Sequence, residues 1–226
     1  MITNASLHYF ILQYIIDKGH APSLSILADH FGTAESSVEK ALYALQDYHG
    51  VVLHPNRPKV WVIHPFSLAP TNFLVKSSRG EWWGNCAWCS LGVAALLDED
   101  VSIRTSSGAH GEPLEIKIVN GEVQPQDLLI HFPIPMMKAW DNVLYTCTTM
   151  LAFRTEEEID KWSARHDIPK GDVRPLPQIW RFAKKWYGQH LDPNWKKWTL
   201  PEAKEIFDEF GLTHPIWNLD LSDLRF

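Results

Sequence analysis

Residues 82–100 read Trp82-Trp83-Gly84-Asn85-Cys86-Ala87-Trp88-Cys89-Ser90-Leu91-Gly92-Val93-Ala94-Ala95-Leu96-Leu97-Asp98-Glu99-Asp100. From Ala87 to Leu97 the run is apolar and rich in small residues. That pattern predicts a helix buried on every side, where an amphipathic stripe would mean a surface helix. Asp98, Glu99 and Asp100 end it as a solvated boundary. The first turn of this helix carries Cys86 and Cys89, with a strand through Trp82 and Trp83 leading in.

Two thiols three residues apart at a helix start share the positive end of the helix dipole and its free N–H groups, which favour thiolate over the ordinary thiol pKa of about 8.5. Thiolates select soft or borderline metals such as Hg(II), Cu(I) and Zn(II). The chain has three cysteines, and the third, Cys147, would complete a three-sulfur site if folding brings it there. A structural zinc site needs four ligands, usually as two pairs. Here one pair stands beside one single cysteine, and nothing distinguishes His110, His131 or His166 as a fourth. A thioredoxin-like dithiol would follow a strand inside a βαβ pattern, which the upstream sequence does not offer. The remaining reading is an open thiolate site for a soft metal.

Upstream, residues 1–64 read as a winged-helix-like module. Leu7, Phe10, Ile11, Tyr14 and Ile15 recur at helical spacing up to Gly19. A second short helix, capped by Ser23 or Ser25, carries Leu27 and Phe31 and stops at Gly32. A third places Val38, Leu42 and Leu45 on one face. Val51–His54 and Val60–Ile63 then pair as strands around Pro55-Asn56-Arg57-Pro58. A DNA reader of this shape needs cations for the phosphates. Lys18, Lys40, Arg57 and Lys59 are outnumbered by Asp17, Asp29, Glu35, Glu39 and Asp47, so nucleic acid is not an expected partner and the module is read as structural.

Residues 65–226 form the second expected domain, entered through a proline-punctuated linker from His64 to Thr71. Strands are expected at Asn72–Lys76, Val101–Arg104, Leu114–Val119 and Leu128–Phe132, with a turn at Asn120-Gly121. Met136–Trp140 reads as a short helix and Val143–Thr148 as a strand or buried turn leading to Cys147. Helices follow at Glu156–Arg165, Ile179–Tyr187 and Pro201–Phe210. The fold class is α+β, a mixed or antiparallel sheet domain with a helical, Trp-rich extension from about residue 178. Of eleven tryptophans all but Trp61 lie beyond residue 80. Trp180, Trp186, Trp195, Trp198 and Trp217 are expected to form a packed cap, and Trp83 and Trp88 to lie in the core. Asp141 and Asn142 stand close enough to Cys147 in sequence to be weighed as a source of an acid.

The net charge of −6 gives no general attraction to nucleic acid or anionic membrane. No apolar run approaches the roughly 18 residues of a membrane span. The N-terminus has no basic segment followed by a small-residue cleavage site, and the expected location is cytoplasmic.

Three blocks now stand in order: Trp82-Trp83-Gly84-Asn85-Cys86-Ala87-Trp88-Cys89, then Gly108-Ala109-His110-Gly111-Glu112-Pro113-Leu114, then Tyr145-Thr146-Cys147 with Phe153-Arg154-Thr155-Glu156. Together, behind a winged-helix-like start, they resemble the organomercurial (alkylmercury) lyases over roughly residues 5–165. The resemblance implies cleavage of carbon–mercury bonds by protonolysis, on two cysteine thiolates and one carboxylate. It requires no cofactor, keeps Hg(II) as bound product and passes it to cellular thiols. The family's two cysteines match Cys86 and Cys147, and its carboxylate position falls on Cys89. A further family cysteine is matched by Ser107. Cys86, Cys89 and Cys147 are therefore the expected catalytic and metal-binding residues. Cys89 would be a third ligand or substitute proton donor. With a thiol for the acid, the same sulfurs would also suit a thiolate-binding protein for Cu, Hg or Zn that does no chemistry or a different metal-dependent one. The expected partner is a small organometallic substrate or a soft metal ion.

Overall fold

The computed structural model describes residues 2–220. Three helices open the chain: α1 (Asn4–Lys18), α2 (Leu24–Phe31) and α3 (Glu35–Asp47). Thr3 and Ser6 form a reciprocal cap on α1, and Gly19 and Gly32, at φ of 73° and 58°, end the first two helices in the left-handed conformation that suits glycine. Strands β1 (Val52–Leu53) and β2 (Val60–Ile63) follow as an antiparallel pair.

The segment expected to be a linker is part of the sheet. Phe66 and Ser67 form β3, which pairs with β2 on one side and with β5 (Glu81–Gly84) on the other, while β4 (Leu74–Lys76) lies beyond β5. Proline punctuation masked a two-residue strand whose Phe66 side chain is wholly buried. The helix α4 (Ala87–Leu97) and strands β6 (Val101–Ser106), β7 (Pro113–Val119) and β8 (Glu122–Gln124) come next. One eight-stranded sheet in the order β1-β2-β3-β5-β4-β6-β7-β8 thus runs from the N-terminal module into the rest of the chain, every pairing antiparallel. Asn120 and Gly121, both at positive φ, make the expected tight turn. The strand β8 beyond it was not expected, because Val123 is its only apolar residue.

A second, three-stranded sheet has β9 (Leu129–Phe132) between β10 (Ala152–Phe153) and β11 (Asp172–Pro175). Between β9 and β10 lies α5 (Val143–Thr149), where the sequence had suggested a strand or turn. Its β-branched residues favour strands. Here Asn142 caps the first turn, and the hydroxyls of Thr148 and Thr149 donate to the carbonyls of Tyr145 and Thr146 three residues back. Local hydrogen bonds override propensity.

Helices α6 (Glu156–His166), α7 (Leu176–Tyr187) and α8 (Leu200–Glu209) complete the α+β fold. The indole N–H groups of Trp180 and Trp217 donate to Gly121 and Asp172, tying the C-terminal helices to both sheets. No helix among the described residues is long and apolar enough to cross a membrane.

Helix α4 is the centre of the packing, buried at every position from Ala87 to Leu97 except Ala95. It lies against α7 at Gly92, where a Cβ would overlap the Tyr187 ring. Overpacking a filled core costs about 1–3 kcal/mol. Gly92→Ala should lower stability by that amount, read as a lower urea midpoint with an unchanged denaturant slope.

Candidate active site

Strand β5 ends at Gly84, and the chain turns through Asn85 into Cys86, whose extended backbone (φ −154°, ψ −174°) makes it the N-cap of α4. Its Sγ accepts the Cys89 N–H at 3.2 Å. The thiol therefore takes the place usually held by a serine or aspartate oxygen. One turn in, Cys89 accepts or donates a hydrogen bond with the Tyr187 hydroxyl of α7 at 3.4 Å. The Ala87 N–H donates to the Met150 carbonyl at 3.0 Å, and Cys86 Sγ lies 3.8 Å from Met150 Sδ. This stitch fixes the end of α5 against the start of α4 and delivers Cys147.

The three cysteines are free thiols, exposed by 0%, 1% and 5% in chain order. A fourth donor joins them. His64, at the end of β2, places Nε2 3.8 Å from Cys147 Sγ, and the donor atoms of His64, Cys89 and Cys147 all lie within 4.8 Å of one another. Asn85 Nδ2 stands 3.4 Å from the same His64 nitrogen. An amide N–H can only donate, so Nε2 is the acceptor and the ring proton sits on Nδ1.

The three sulfurs titrate as a unit, because like charges in a buried site cannot all ionise. Burial raises the Cys89 thiol, but hydrogen bonds with Cys147 and Cys86, the neighbouring His64 and the Tyr187 hydroxyl outweigh it, holding Cys89 well below the usual thiol range. Burial above all pushes Cys86 up, and hydrogen bonds with the other two thiols push Cys147 up. Of the three thiols, Cys89 in the first turn of α4 is thus the one whose surroundings favour the thiolate. Burial lowers the pKa of His64, opposed by the Cys89 charge, and leaves the ring neutral.

The sulfurs face a cavity of about 120 Å³, and a water needs only roughly 10–15 Å³ of such space. There is room for a small organic group. Trp88, Trp140, Trp186, Trp195 and Trp198 wall it, with His8, His49 and His190 among them. Two expectations change here. Trp88 is packed on Phe182 with ring centres 4.7 Å apart yet also forms the cavity wall. Trp186, Trp195 and Trp198 line the site instead of serving only as a cap. No Asp or Glu lines the cavity among the described residues. Asp141 pairs with Lys138 at the surface and Asn142 caps α5, so neither supplies an acid. His131 is engaged with the Lys170 carbonyl, and neither His110 nor His166 borders the cavity.

His64 and Tyr187 were missed because sequence distance hides them, one before a proline and the other at the end of an ordinary amphipathic helix. Of the three expected cysteines, Cys89 and Cys147 group with His64 within 4.8 Å, and Cys86 caps α4 beside them. The family model for alkylmercury lyases matches residues 66–188, more than half of the chain. The chain belongs to the alkylmercury lyase family. Its fold is similar to that of the mercury-bound form of MerB2, at a TM-score of 0.64 and 22% identity, with 81% of this chain and 91% of that chain covered. No curated protein matches the chain. The match to this family makes the protein lyase-like in function, and the cluster of Cys89, Cys147 and His64 is its candidate metal-binding centre.

The buried histidines give the fold a signature in acid. Burial is the main cause holding His190 down at about 3 and His131 at about 4. In the unfolded chain both would titrate near 6.5. Depressed folded values mean that the unfolded state binds more protons below 6.5, so their stabilisation is present above that pH and is lost as pH falls toward 4. Each ring should cost about 2 kcal/mol of stability by pH 5. Urea midpoints at pH 7.5 and pH 5 should show the drop, and a flat profile would contradict it.

Proposed function

We propose that the protein cleaves carbon–mercury bonds of small organomercurials by protonolysis on Cys86, Cys89 and Cys147, with no cofactor. The observation that carries this is the meeting of Cys89 and Cys147 within 4.8 Å, with the Cys86 N-cap thiol beside them, on the lining of an aromatic cavity. The Cys89 thiolate attacks the mercury of R–Hg⁺ and forms a neutral R–Hg–S bond. The Cys147 thiol then gives its proton to the carbon. The C–Hg bond breaks, its electron pair takes the proton to release R–H, and the freed Cys147 sulfur closes on mercury. Hg(II) is left between two sulfurs with Cys86 beside them. One cellular thiol and one thiolate take the metal by exchange, the thiol's proton returning to Cys147 and Cys89 leaving as thiolate, which restores the cluster.

With Cys89 in the family's carboxylate position and acting as the attacking thiolate, the proton comes from Cys147, whose thiol can supply it because it is far more acidic than any hydrocarbon. The same substitution adds a sulfur to the product site, and tighter product binding does nothing for turnover. The cavity's size and aromatic walls suit an alkyl or single-ring aryl group, and the sulfurs that would meet it are themselves buried.

Incubation with phenylmercury and excess thiol should release benzene over many turnovers. Cys147→Ser should lower the rate by roughly 10²–10⁴-fold, the usual worth of a positioned proton donor. Stoichiometric retention of mercury with no benzene would refute the lyase reading and leave a soft-metal trap for Hg, Cu or Zn.

A further inference from the structure

We propose that His64 is the third donor to the Hg(II) product, so that the metal rests in a two-sulfur, one-nitrogen cradle of Cys89, Cys147 and His64. This deepens the lyase reading and rests on it for the source of the metal. Three observations carry it. The three donor atoms lie within 4.8 Å of one another, although His64 and Cys147 are 83 residues apart. The nitrogen that faces Cys147 at 3.8 Å also stands 3.4 Å from Asn85 Nδ2, a long contact that an arriving cation would displace to take the lone pair, and with the ring proton on Nδ1 no N–H opposes it. The Nε2–Sγ separation of 3.8 Å is close to the roughly 3.6 Å that a zinc-sized ion would span at tetrahedral angles, and a larger ion widens it.

The cavity offers no carboxylate, and a cation held by two thiolates has a third position open to a neutral ligand. Imidazole is the only uncharged nitrogen donor within this range of both Cys89 and Cys147 among the described residues. The ring is held edge-on to Trp140, with centres 5.4 Å apart and planes at 74°. The ligand is therefore placed before the metal arrives. Its origin at the end of β2 gives the N-terminal module a direct part in the site.

The test uses the whole protein loaded with one equivalent of inorganic Hg(II). X-ray absorption at the mercury edge should show two sulfurs and one nearer light atom in the wild type, and sulfur alone in His64→Phe, which preserves an aromatic ring beside Trp140. Mercury should pass to a competing dithiol roughly 10–100-fold faster from the variant. A sulfur-only shell in the wild type would overturn the proposal, and that spectrum decides the matter even if the variant fails to fold. The same preparation is assayed with phenylmercury. A nitrogen in the shell without benzene release would sink the lyase reading and leave the ligand assignment standing. Benzene release with a sulfur-only shell would do the reverse.

Discussion

A single backbone hydrogen bond, from the Ala87 N–H to the Met150 carbonyl, sets the relation on which the chemistry depends. It joins the first turn of α4 to the residue that follows α5, two stretches of chain more than sixty residues apart. Without it Cys86 and Cys89 would form an ordinary dithiol at a helix start, and Cys147 would be one more small buried side chain. The bond costs little to place, because the first-turn N–H groups of a helix have no partner inside the helix. One such group is satisfied by Cys86 itself, through the Cys89 N–H, and another by Met150. The helix start is thus satisfied by the same groups that assemble the sulfurs, so folding and site formation are one event.

Around that stitch the site draws on both ends of the chain. His8, His49 and His64 come from the N-terminal module, Tyr187 and His190 from α7 and the loop beyond it, and Trp195 and Trp198 from the approach to α8. His8 stacks on Trp195 with ring centres 3.6 Å apart, and the Trp82 indole donates to the Ile15 carbonyl of α1. His8 of α1 and His49, just past α3, line one side of the cavity, and the sheet that starts with β1 and β2 continues unbroken into the strands that carry α4. Residue 64, where the sequence suggested a boundary between two domains, stands between two paired strands and beside the sulfurs.

What the sequence made legible follows from how local each signal is. Helix α4 was readable to the residue because an apolar, small-residue run bounded by acidic residues has few alternatives. The three cysteines were readable because soft-metal chemistry needs thiols and the chain has no others. Strand β3 was hidden because two residues between prolines carry no periodicity, and α5 because its threonines favour strands until their hydroxyls find carbonyls one turn back. His64 and Tyr187 were unreadable for a different reason. Neither residue type nor spacing marks a side chain whose role is created by a contact across 83 or 98 residues.

The replacement of a carboxylate by Cys89 is then best understood through charge. A carboxylate beside two thiols would be ionised at neutral pH and would compete with them for the one negative charge that a buried pocket tolerates. With three thiols that competition is internal. Cys89, which shares a hydrogen bond with the Tyr187 hydroxyl, is the thiol whose pKa falls, while those of Cys86 and Cys147 rise and favour a retained proton for the leaving carbon. The pocket gains a sulfur for capture and loses an oxygen that water could share. An aromatic wall beside the sulfurs is then an advantage, since no buried carboxylate needs hydration. The Trp-rich C-terminal helices and the cysteine in the acid's place fit together as one arrangement, in which the proton that ends the carbon–mercury bond is carried by sulfur.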